Sequence, residues 1–554
     1  MPSFPVCTSY EITTPADNQC DSLLRPCGLP TRGCRQWTAR QATRRRSCTR
    51  IKATASPVAE KQQKNGHAFK QSTHKQANRM QTQEAFVWTK HWYPLSLEAD
   101  LDTQNPTPHT LLNIDMVIWK DGERKWGACE DRCPHRLAPL SEGRIQNGNL
   151  ACNYHGWEFD RKGACLANPQ SGMLAGDPIC KADKAKARAF PVQVAQGMLW
   201  IWPESGSHAW LESAMQAPVL VPEAADPKWT GSDAVPVFST WRANWDLWME
   251  NTMDPSHVNW LHDGTAGKWE DAYPMKMRLL DNAVDAHKGF TVQHDGYSKT
   301  QSKAGLKVTR QYLPPCTNRY VYEYSDGRVD IFAIYFTPIS PGVTRSFFKF
   351  VSQNPPKGFA LISKVPQWLF HNLSGSMSDQ DAVMLHTQDY ALREDPKHWR
   401  GYYLPSQADR AVAAFRVWLH EKAGGDVGWA KGATSADLPP KLSRDQLLSR
   451  WDRHTKDCAS CKQAMATIDQ IQTGLTVSSA ALLMLALFTT AQHRSAIADS
   501  TLIELGLGAS LLIVREALRK LNQNYIAGSG NVYNLRKKPA TKTDIDAPAN
   551  PGVM

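Results

Sequence analysis

The first part of this 554-residue chain lacks both acidic residues and a long apolar run. Residues 1–80 hold 14 Lys or Arg against 4 Asp or Glu, a net charge of +10, which leaves only +1 of the total of +11 for residues 81–554. A secretory signal needs an apolar core, which this leader does not have. A leader rich in Arg, Ser and Thr and poor in acids is typical of an organelle transit peptide, which we predict over residues 1–55. A basic arm that binds nucleic acid is the alternative. Because the rest of the chain is nearly neutral, we predict that the protein has no nucleic-acid partner.

Cysteine is also scarce in the rest of the chain. Of 13 cysteines, five lie in the leader and two belong to the paired motifs described below. The other six are too few for a disulfide scaffold in a chain of this length, so a reducing compartment fits better. These six are Cys129, Cys165, Cys180, Cys316, Cys458 and Cys461.

Two short motifs each combine one Cys with one His. Cys133 and His135 are two residues apart, and after sixteen intervening residues Cys152 and His155 are three apart. Two thiolates on one iron and two imidazoles on the other form the ligand set of a Rieske 2Fe–2S cluster. A zinc site is the alternative, although zinc fingers usually separate a Cys pair from a His pair. The spacing therefore predicts that these four residues bind a Rieske cluster.

Two stretches with different patterns predict two folded domains after a polar linker over residues 56–83. Residues 84–205, which contain both motifs, have short β-type runs separated by turns, and we predict an all-β domain with the cluster on two loops. Within residues 206–450, alternating runs over residues 280–350 predict an antiparallel sheet. Flanking helices would supply further metal ligands, so we expect an α+β catalytic domain.

A second candidate metal site lies between these two patterns. His257 and His262, which follow Asp254, would provide two legs of a 2-His-1-carboxylate triad, the set that leaves positions open on Fe(II). Residues five apart on a regular helix are separated by about 140°, so a shared metal needs a helix end or a bend. Packed histidines are the alternative. For the carboxylate, we predict Asp381 on an apolar helix face, with Asp379 near the helix start as the rival.

Residues 451–470 contain the CxxC pair Cys458 and Cys461. Such a pair can be a reversible disulfide, half of a metal site or two unconnected thiols. No second CxxC lies nearby, so a zinc site is incomplete on this interpretation. Because the flanking Lys456 and Lys462 favour thiolate, we predict a redox-regulatory pair, with inert thiols as the alternative.

Two apolar runs follow the CxxC pair. Residues 474–491 carry no charge over 18 residues, long enough for a membrane span, whereas residues 502–514 are fewer and contain Glu504. We predict two membrane-associated helices over residues 471–525, with an amphipathic pair packed on the soluble body as the alternative. Residues 526–554 are predicted to be a disordered tail.

In combination, these features resemble the plastid Rieske non-haem iron oxygenases over about residues 84–525. The resemblance depends on the two Cys–His motifs, on the order Asn251, Asp254, His257 and His262, and on the CxxC pair with its apolar runs. The branch is that of pheophorbide a oxygenase, the Rieske protein of the inner-envelope translocon and the protochlorophyllide-dependent translocon component.

This resemblance implies a role for each motif residue. The 2Fe–2S cluster would be held by Cys133, His135, Cys152 and His155, and a mononuclear non-haem Fe(II) by His257, His262 and Asp381. Asp254 would link an iron-bound histidine to a cluster histidine of the neighbouring subunit in a homotrimer, with Asn251 beside it as a second catalytic residue.

The resemblance also implies a reaction and its partners. Reduced ferredoxin would supply electrons singly through the cluster, and O2 would give one atom to a chlorophyll-derived tetrapyrrole and the other to water. The expected place is a chloroplast membrane, the inner envelope rather than the thylakoid, with thioredoxin as a partner of the CxxC pair. The competing hypotheses are a redox-sensing subunit of an inner-envelope complex, and an oxygenase of chlorophyllide, protochlorophyllide or a phyllobilin. The second metal site favours an enzyme, because a pure electron carrier does not need one.

Overall fold

The computed structural model of this chain describes residues 86–171, 178–281, 283–359, 364–492 and 499–527. The predicted transit peptide, the predicted linker and the part of the predicted tail after Ala527 lie outside the described residues. The predicted fold class is confirmed: an all-β domain precedes an α+β domain with an antiparallel sheet.

The β domain consists, within the described residues, of three antiparallel sheets. Their strand orders are β1–β11–β10, β2–β3–β4–β9 and β5–β6–β7–β8. The strands are β1 Tyr93–Leu97, β2 Thr107–Leu111, β3 Ile114–Lys120, β4 Trp126–Glu130, β5 Arg144–Gln146, β6 Asn149–Ala151, β7 Glu158–Phe159, β8 Cys165–Ala167, β9 Ala189–Phe190, β10 Val192–Ala195 and β11 Met198–Ile201.

Tight turns define the two loops that carry the Cys–His motifs. In the first loop the Cys133 N–H donates to the Ala138 carbonyl at 2.8 Å, and Leu137 adopts a positive φ of 63°. In the second loop Gly156, with φ of 75°, donates its N–H to the Cys152 carbonyl at 2.8 Å. Glycine adopts a positive φ without strain, whereas another residue such as Leu137 is strained there. In each loop a backbone hydrogen bond closes the turn and so holds this local geometry.

One disulfide, Cys165–Cys180, is present in the part of the chain that the structure describes. It links β8 to the short helix that follows. The other cysteines of the described residues are free, so the protein has no disulfide scaffold there, and packing stabilises the domain instead.

A seven-stranded antiparallel sheet forms the centre of the second domain, in the order β12–β18–β17–β16–β15–β14–β13. Side chains alternate along it as period-two strands require: in β15, Val308, Arg310 and Tyr312 are buried and the residues between them are not. Its strands are β12 Val237–Trp241, β13 Arg278–Leu279, β14 Phe290–His294, β15 Lys307–Leu313, β16 Thr317–Glu323, β17 Val329–Ser340 and β18 Val343–Gln353.

The helices pack against this sheet and extend the chain beyond it. In chain order they are α1 Pro178–Lys181, α2 Ser207–Met215, α3 Trp245–Met253, α4 Val258–Leu261, α5 Lys299–Lys303, α6 Gln367–Ser374, α7 Ser376–Glu394, α8 Arg410–Val417, α9 Arg444–Leu448, α10 Arg450–Arg453, α11 Ala459–Gln492 and α12 Asp499–Ala527. The described tail residues 526 and 527 therefore belong to the last helix.

Helix α3 is almost wholly buried, and it leads directly into the candidate iron site. Its two acids, Asp246 and Glu250, are one turn apart and face Arg416 of α8. Arg393 of α7 also reaches Asp246, at 2.7 Å. Buried charges need such partners, so this network fixes α3 between two other helices.

The C-terminal helices α11 and α12 form a hairpin with an apolar exterior. Helix α11 is long and apolar enough to cross a membrane, and only 11% of its 18-residue apolar stretch is buried. Among the described residues it is the one helix that meets this test, so the prediction of two membrane helices is supported for the first only. Helix α12 fails because its charges at Glu504, Arg515 and Glu516 interrupt the apolar stretch. The two helices approach closely where the Ser479 hydroxyl donates to the Gly508 carbonyl at 3.0 Å.

Candidate metal centres and active site

The two Cys–His motifs lie on neighbouring loops of the β domain. Cys133 and His135 lie between β4 and β5, and Cys152 and His155 lie between β6 and β7. Both cysteines are 1% exposed, whereas the imidazole rings are half-buried with centroids 4.6 Å apart. The ring of His135 also stacks on Trp157 at 4.9 Å. The structure thus brings the four predicted cluster ligands together, with the thiols inside and the imidazoles outside.

The donor atoms of these loops fit a 2Fe–2S cluster. Burial raises the pKa of the Cys133 thiol to about 11, so a thiolate there needs a nearby positive charge such as a metal. The Nδ1 atom of His135 is buried and has no hydrogen-bond partner in the described residues. Leaving a buried polar atom unsatisfied is costly, and an iron ion would satisfy it. The assignment of these four residues as ligands stays a prediction.

His257 and His262 lie at the two ends of a single helical turn. Helix α4 begins directly after His257 and ends directly before His262, whose φ of −102° and ψ of 28° leave the helix. This irregularity removes the separation of about 140° that a regular helix would impose. The two ring centroids lie 5.2 Å apart. The helix end that a shared metal requires is therefore present.

Asp381 of α7 completes this site. Its Oδ1 lies 3.5 Å from His257 Nε2 and 3.3 Å from His262 Nε2. These three side chains, which we call the His–His–Asp group, each offer a ligand atom within 4.8 Å of the others. The rival Asp379 pairs instead with Arg453, at 2.7 Å. The structure brings Asp381 to the histidines, and the role of the group in binding iron stays a prediction.

Neighbouring oxygen atoms determine which nitrogen each histidine presents. His262 Nδ1 lies 2.7 Å from Gln380 Oε1, and His257 Nδ1 lies 2.5 Å from the Asp254 carbonyl oxygen. Because an oxygen acceptor keeps the proton on Nδ1, each Nε2 keeps its lone pair for a metal. Sequence reasoning missed Gln380, and its position beside the predicted carboxylate was the only available signal.

The two predicted catalytic residues border the His–His–Asp group. Asn251 Nδ2 donates to Asp381 Oδ1 at 3.0 Å and so holds that carboxylate in place. Asp254 follows the end of α3, and its side chain is 29% exposed, with Oδ2 3.9 Å from His257 Nδ1. Its Oδ1 accepts from the Ser256 N–H at 2.8 Å. The catalytic roles of Asn251 and Asp254 stay predictions.

A cavity of about 280 Å³ opens beside the His–His–Asp group. One wall is a face of the sheet, on which Phe332, Ile334 and Phe336 alternate along β17. Arg310 of β15 brings a buried cation to the same cavity. A second opening of about 670 Å³ lies on the side of Asp254. The group therefore lies between an aromatic cavity and a more open one.

The CxxC pair lies elsewhere, at the start of α11. Cys458 and Cys461 are both 0% exposed and adjoin His371 and His454, and these four side chains form a further group able to hold a metal ion. Hydrogen bonds, chiefly from Cys461, hold the pKa of the Cys458 thiol well below its usual range. Sequence reasoning missed both histidines: His454 lies four residues before Cys458, whereas His371 gave no signal. The redox-regulatory role of the pair stays a prediction.

Comparison with known proteins matches both domains in order. The model of the Rieske [2Fe-2S] domain matches residues 91–178, and that of the vanillate O-demethylase oxygenase C-terminal domain matches residues 241–424. Pheophorbide a oxygenase of Oryza sativa subsp. japonica is 33% identical over 78% of this chain and 84% of its own length. Flavonoid 8-hydroxylase 2 of Ocimum basilicum is 32% identical over 72% and 77%. Protochlorophyllide-dependent translocon component 52 of Arabidopsis thaliana is 29% identical over 71% and 76%.

All three relatives are chloroplast proteins. They bear out the predicted oxygenase class and its two cofactors, a Rieske 2Fe–2S cluster and a mononuclear non-haem iron. Because two consecutive domain models match and a relative 33% identical is covered over most of its length, this chain belongs to the Rieske non-haem iron oxygenases, in the branch that includes pheophorbide a oxygenase.

Proposed function

We propose that this chain is a ferredoxin-dependent oxygenase of a chlorophyll-derived tetrapyrrole in a chloroplast membrane. The observation that carries the proposal is the His–His–Asp group, whose ligand atoms converge at the edge of an aromatic cavity. Two imidazoles and one carboxylate leave coordination positions of Fe(II) open for other ligands. This group favours an enzyme over a redox-sensing subunit, which needs no second metal.

Two sets of side chains are assigned to the two cofactors. When bound, the iron would be the site at which O2 is reduced, and the cluster would provide the electrons one at a time. Around the iron site, Gln380 and the Asp254 carbonyl orient the imidazoles, and Asn251 orients the carboxylate. The cluster ligands are Cys133, His135, Cys152 and His155, and the iron ligands are His257, His262 and Asp381.

Arg310 supports an anionic substrate. Its guanidinium donates to His294 Nε2, to the Thr252 carbonyl and to the Tyr322 hydroxyl, which are neutral acceptors. Burial and the adjacent Arg310 lower the pKa of His294 to about 3, so this imidazole is neutral. No carboxylate of the described residues forms an ion pair with Arg310, and a buried cation without a counter-ion is costly. A pheophorbide carries a free propionate, which would supply that charge.

A smaller phenolic substrate is the second candidate. The cavity of about 280 Å³ is slightly smaller than typical ligand pockets, which span roughly 300 to 1,000 Å³. One relative is named as a flavonoid hydroxylase, and a flavonoid would fit inside this volume. A tetrapyrrole would instead bind with one edge in the cavity and the rest of the ring towards its mouth.

We further propose that electrons cross between subunits of a homotrimer, with Asp254 at the crossing. The opening beside Asp254 is bordered by Trp260 and Tyr403, which are 62% and 88% exposed. Beside the cluster loops, Leu137 and Tyr154 are 64% and 58% exposed. Exposed apolar side chains grouped at each redox centre support a docking contact between copies.

The apolar exterior of the C-terminal hairpin supports attachment to a membrane, and we propose the inner envelope. On α11 the exposed apolar side chains include Val477, Met484, Leu487 and Phe488, each at least 60% exposed. In water such a surface would be unfavourable at about 25 cal/mol per Å². A tetrapyrrole substrate that partitions into the membrane would reach the protein from the side of this hairpin.

The test is incubation of full-length protein with ferredoxin, its reductase, ¹⁸O₂ and either pheophorbide a or a flavone. We expect label in the tetrapyrrole product, and label only in the flavone would select the second candidate. No labelled product from protein with about three irons per chain would contradict the oxygenase proposal.

In Arg310→Leu, KM for pheophorbide should rise by about 10- to 100-fold, since a charged hydrogen bond is lost. The methyl ester of the same substrate is the matched control, and an equal effect on acid and ester would exclude the role of Arg310.

A further inference from the structure

A second buried group of metal-ligating side chains shares no residue with the His–His–Asp group. It consists of His371, His454, Cys458 and Cys461, which are 4%, 5%, 0% and 0% exposed. They come from α6, from the turn after α10 and from the start of α11. We propose that this group is a structural zinc site, which is independent of the substrate that the oxygenase takes.

Four of the six spacings between the donor atoms are close to those of a tetrahedral site. His454 Nε2 lies 3.0 Å from His371 Nδ1 and 3.3 Å from Cys461 Sγ. His371 Nδ1 lies 3.5 Å from Cys461 Sγ and 3.7 Å from Cys458 Sγ. Zn–N bonds of about 2.05 Å and Zn–S bonds of about 2.3 Å place tetrahedral N and N about 3.3 Å apart, and N and S about 3.6 Å apart. These four spacings agree with the zinc values to about 0.3 Å, and all four donor atoms lie within 4.8 Å of one another, so the group is placed to hold one zinc ion.

The donor set selects zinc and a structural role. Two thiolates and two imidazoles in a tetrahedron are a structural zinc set, and they leave no position open for a substrate. His454 Nδ1 lies 2.8 Å from the Phe238 carbonyl oxygen of β12, which holds the proton on Nδ1 and leaves Nε2 for the metal. The two histidines complete the set of which the CxxC pair is one half.

The site would fasten the C-terminal hairpin to both domains. The first residue of α11, Ala459, donates its N–H to Asp100 of the β domain at 2.8 Å. His371 and His454 also line the aromatic cavity of the catalytic domain. One ion at this position would therefore fix the hairpin relative to the cavity mouth, where a tetrapyrrole would enter.

Zinc binding competes with the predicted redox role of Cys458 and Cys461. A disulfide between them would consume both thiolates that the zinc needs. Thiol–disulfide exchange also requires access for an attacking thiolate, and both sulfurs belong to side chains with 0% exposure. In the folded protein the pair is therefore better placed to bind an ion than to meet a reductase.

The first test is metal analysis of full-length protein purified without chelator. We expect about one zinc per chain beside about three irons. Zinc should fall to a background level in Cys458→Ser and in His454→Gln, while the iron content stays unchanged. Cys316→Ser is the matched control, because Cys316 is also a free thiol with 0% exposure and should keep the zinc. Parental zinc in both ligand variants would overturn the proposal.

The second test needs no variant and so stays decisive if the ligand variants do not fold. X-ray absorption at the zinc edge of the parent protein should show two sulfurs at about 2.3 Å and two nitrogens at about 2.0 to 2.1 Å. A shell of nitrogen and oxygen alone would overturn the proposal. So would protein without zinc whose Cys458 and Cys461 form a disulfide, or a fourth iron in place of zinc.

Discussion

At the scale of single residues, the chemistry depends on which nitrogen and oxygen atoms are left free. Gln380 and a backbone carbonyl each occupy the Nδ1 side of an imidazole, so that both Nε2 atoms face Asp381. Asp379, two residues earlier on the same helix, instead forms an ion pair with Arg453. Two carboxylates separated by a single residue thus have different tasks.

We predict that Asp381→Ala loses the mononuclear iron and keeps the cluster. Removing groups that only orient a metal ligand costs about 10- to 100-fold, so removing the ligand itself should lower turnover by more than about 100-fold. Iron per chain should fall by about one third while the EPR signal of the reduced cluster persists. The matched control is Asp379→Asn, which should keep all the iron. Parental iron content and turnover in Asp381→Ala would show that the carboxylate is assigned wrongly.

At the scale of elements, helix α3 holds the active site through a buried ion network. Arg416 pairs with Asp246 at 2.6 Å and also with Glu250. Burial by itself would raise the pKa of Asp246, but Arg393 and Arg416 outweigh it and lower that pKa to about 2. This carboxylate therefore stabilises the fold at pH values above its unfolded pKa of about 3.9, and the contribution is lost as the pH falls towards 2.

We predict that Arg416→Ala lowers the free energy of unfolding by about 3 to 5 kcal/mol, because it leaves two buried acids short of a partner. The measurement is urea unfolding followed by tryptophan fluorescence, since Trp245 and Trp248 lie on α3. Lys431→Ala is the matched control: it removes an exposed pair with Asp115 and should change stability by at most about 1 kcal/mol. Equal stabilities of the two variants would contradict the role of the network.

At the scale of the whole molecule, the two redox centres are proposed to work across a subunit boundary. A variant with Cys152→Ser should lack the cluster, and one with Asp381→Ala should lack the mononuclear iron, so each trimer alone should be inactive. We predict that trimers assembled from both variants regain part of the parental turnover, because intact clusters then face intact iron sites. Adding Asp254→Asn to both chains should lower that regained activity by about 10- to 100-fold. Mixed trimers without activity would contradict transfer between subunits.

Local patterns in the sequence were sufficient wherever a function depends on residues close together in the chain. The Cys–His motifs predict the cluster loops, alternation predicts the antiparallel sheet, and an uncharged run predicts α11. The membrane association of α12 stays a prediction, because Glu504 lies within its apolar stretch and Arg515 and Glu516 follow that stretch directly. Periodicity and spacing act over a few residues, and they carry no information about which distant helices meet.

Only the tertiary structure decided which distant side chains share a site. The sequence already favoured Asp381 over Asp379 from the apolar face of the predicted helix, but only the folded structure places the Asp381 carboxylate beside both histidines and that of Asp379 beside Arg453. The folded structure also places His371 beside Cys458 and Cys461, which follow it by 87 and 90 residues. The sequence by itself determined the chemistry available to this protein: sulfur and imidazole for a cluster, imidazole and carboxylate for an iron. Folding decided where those atoms converge, because a metal site needs donor atoms within a few ångströms, and chain separation does not measure that distance.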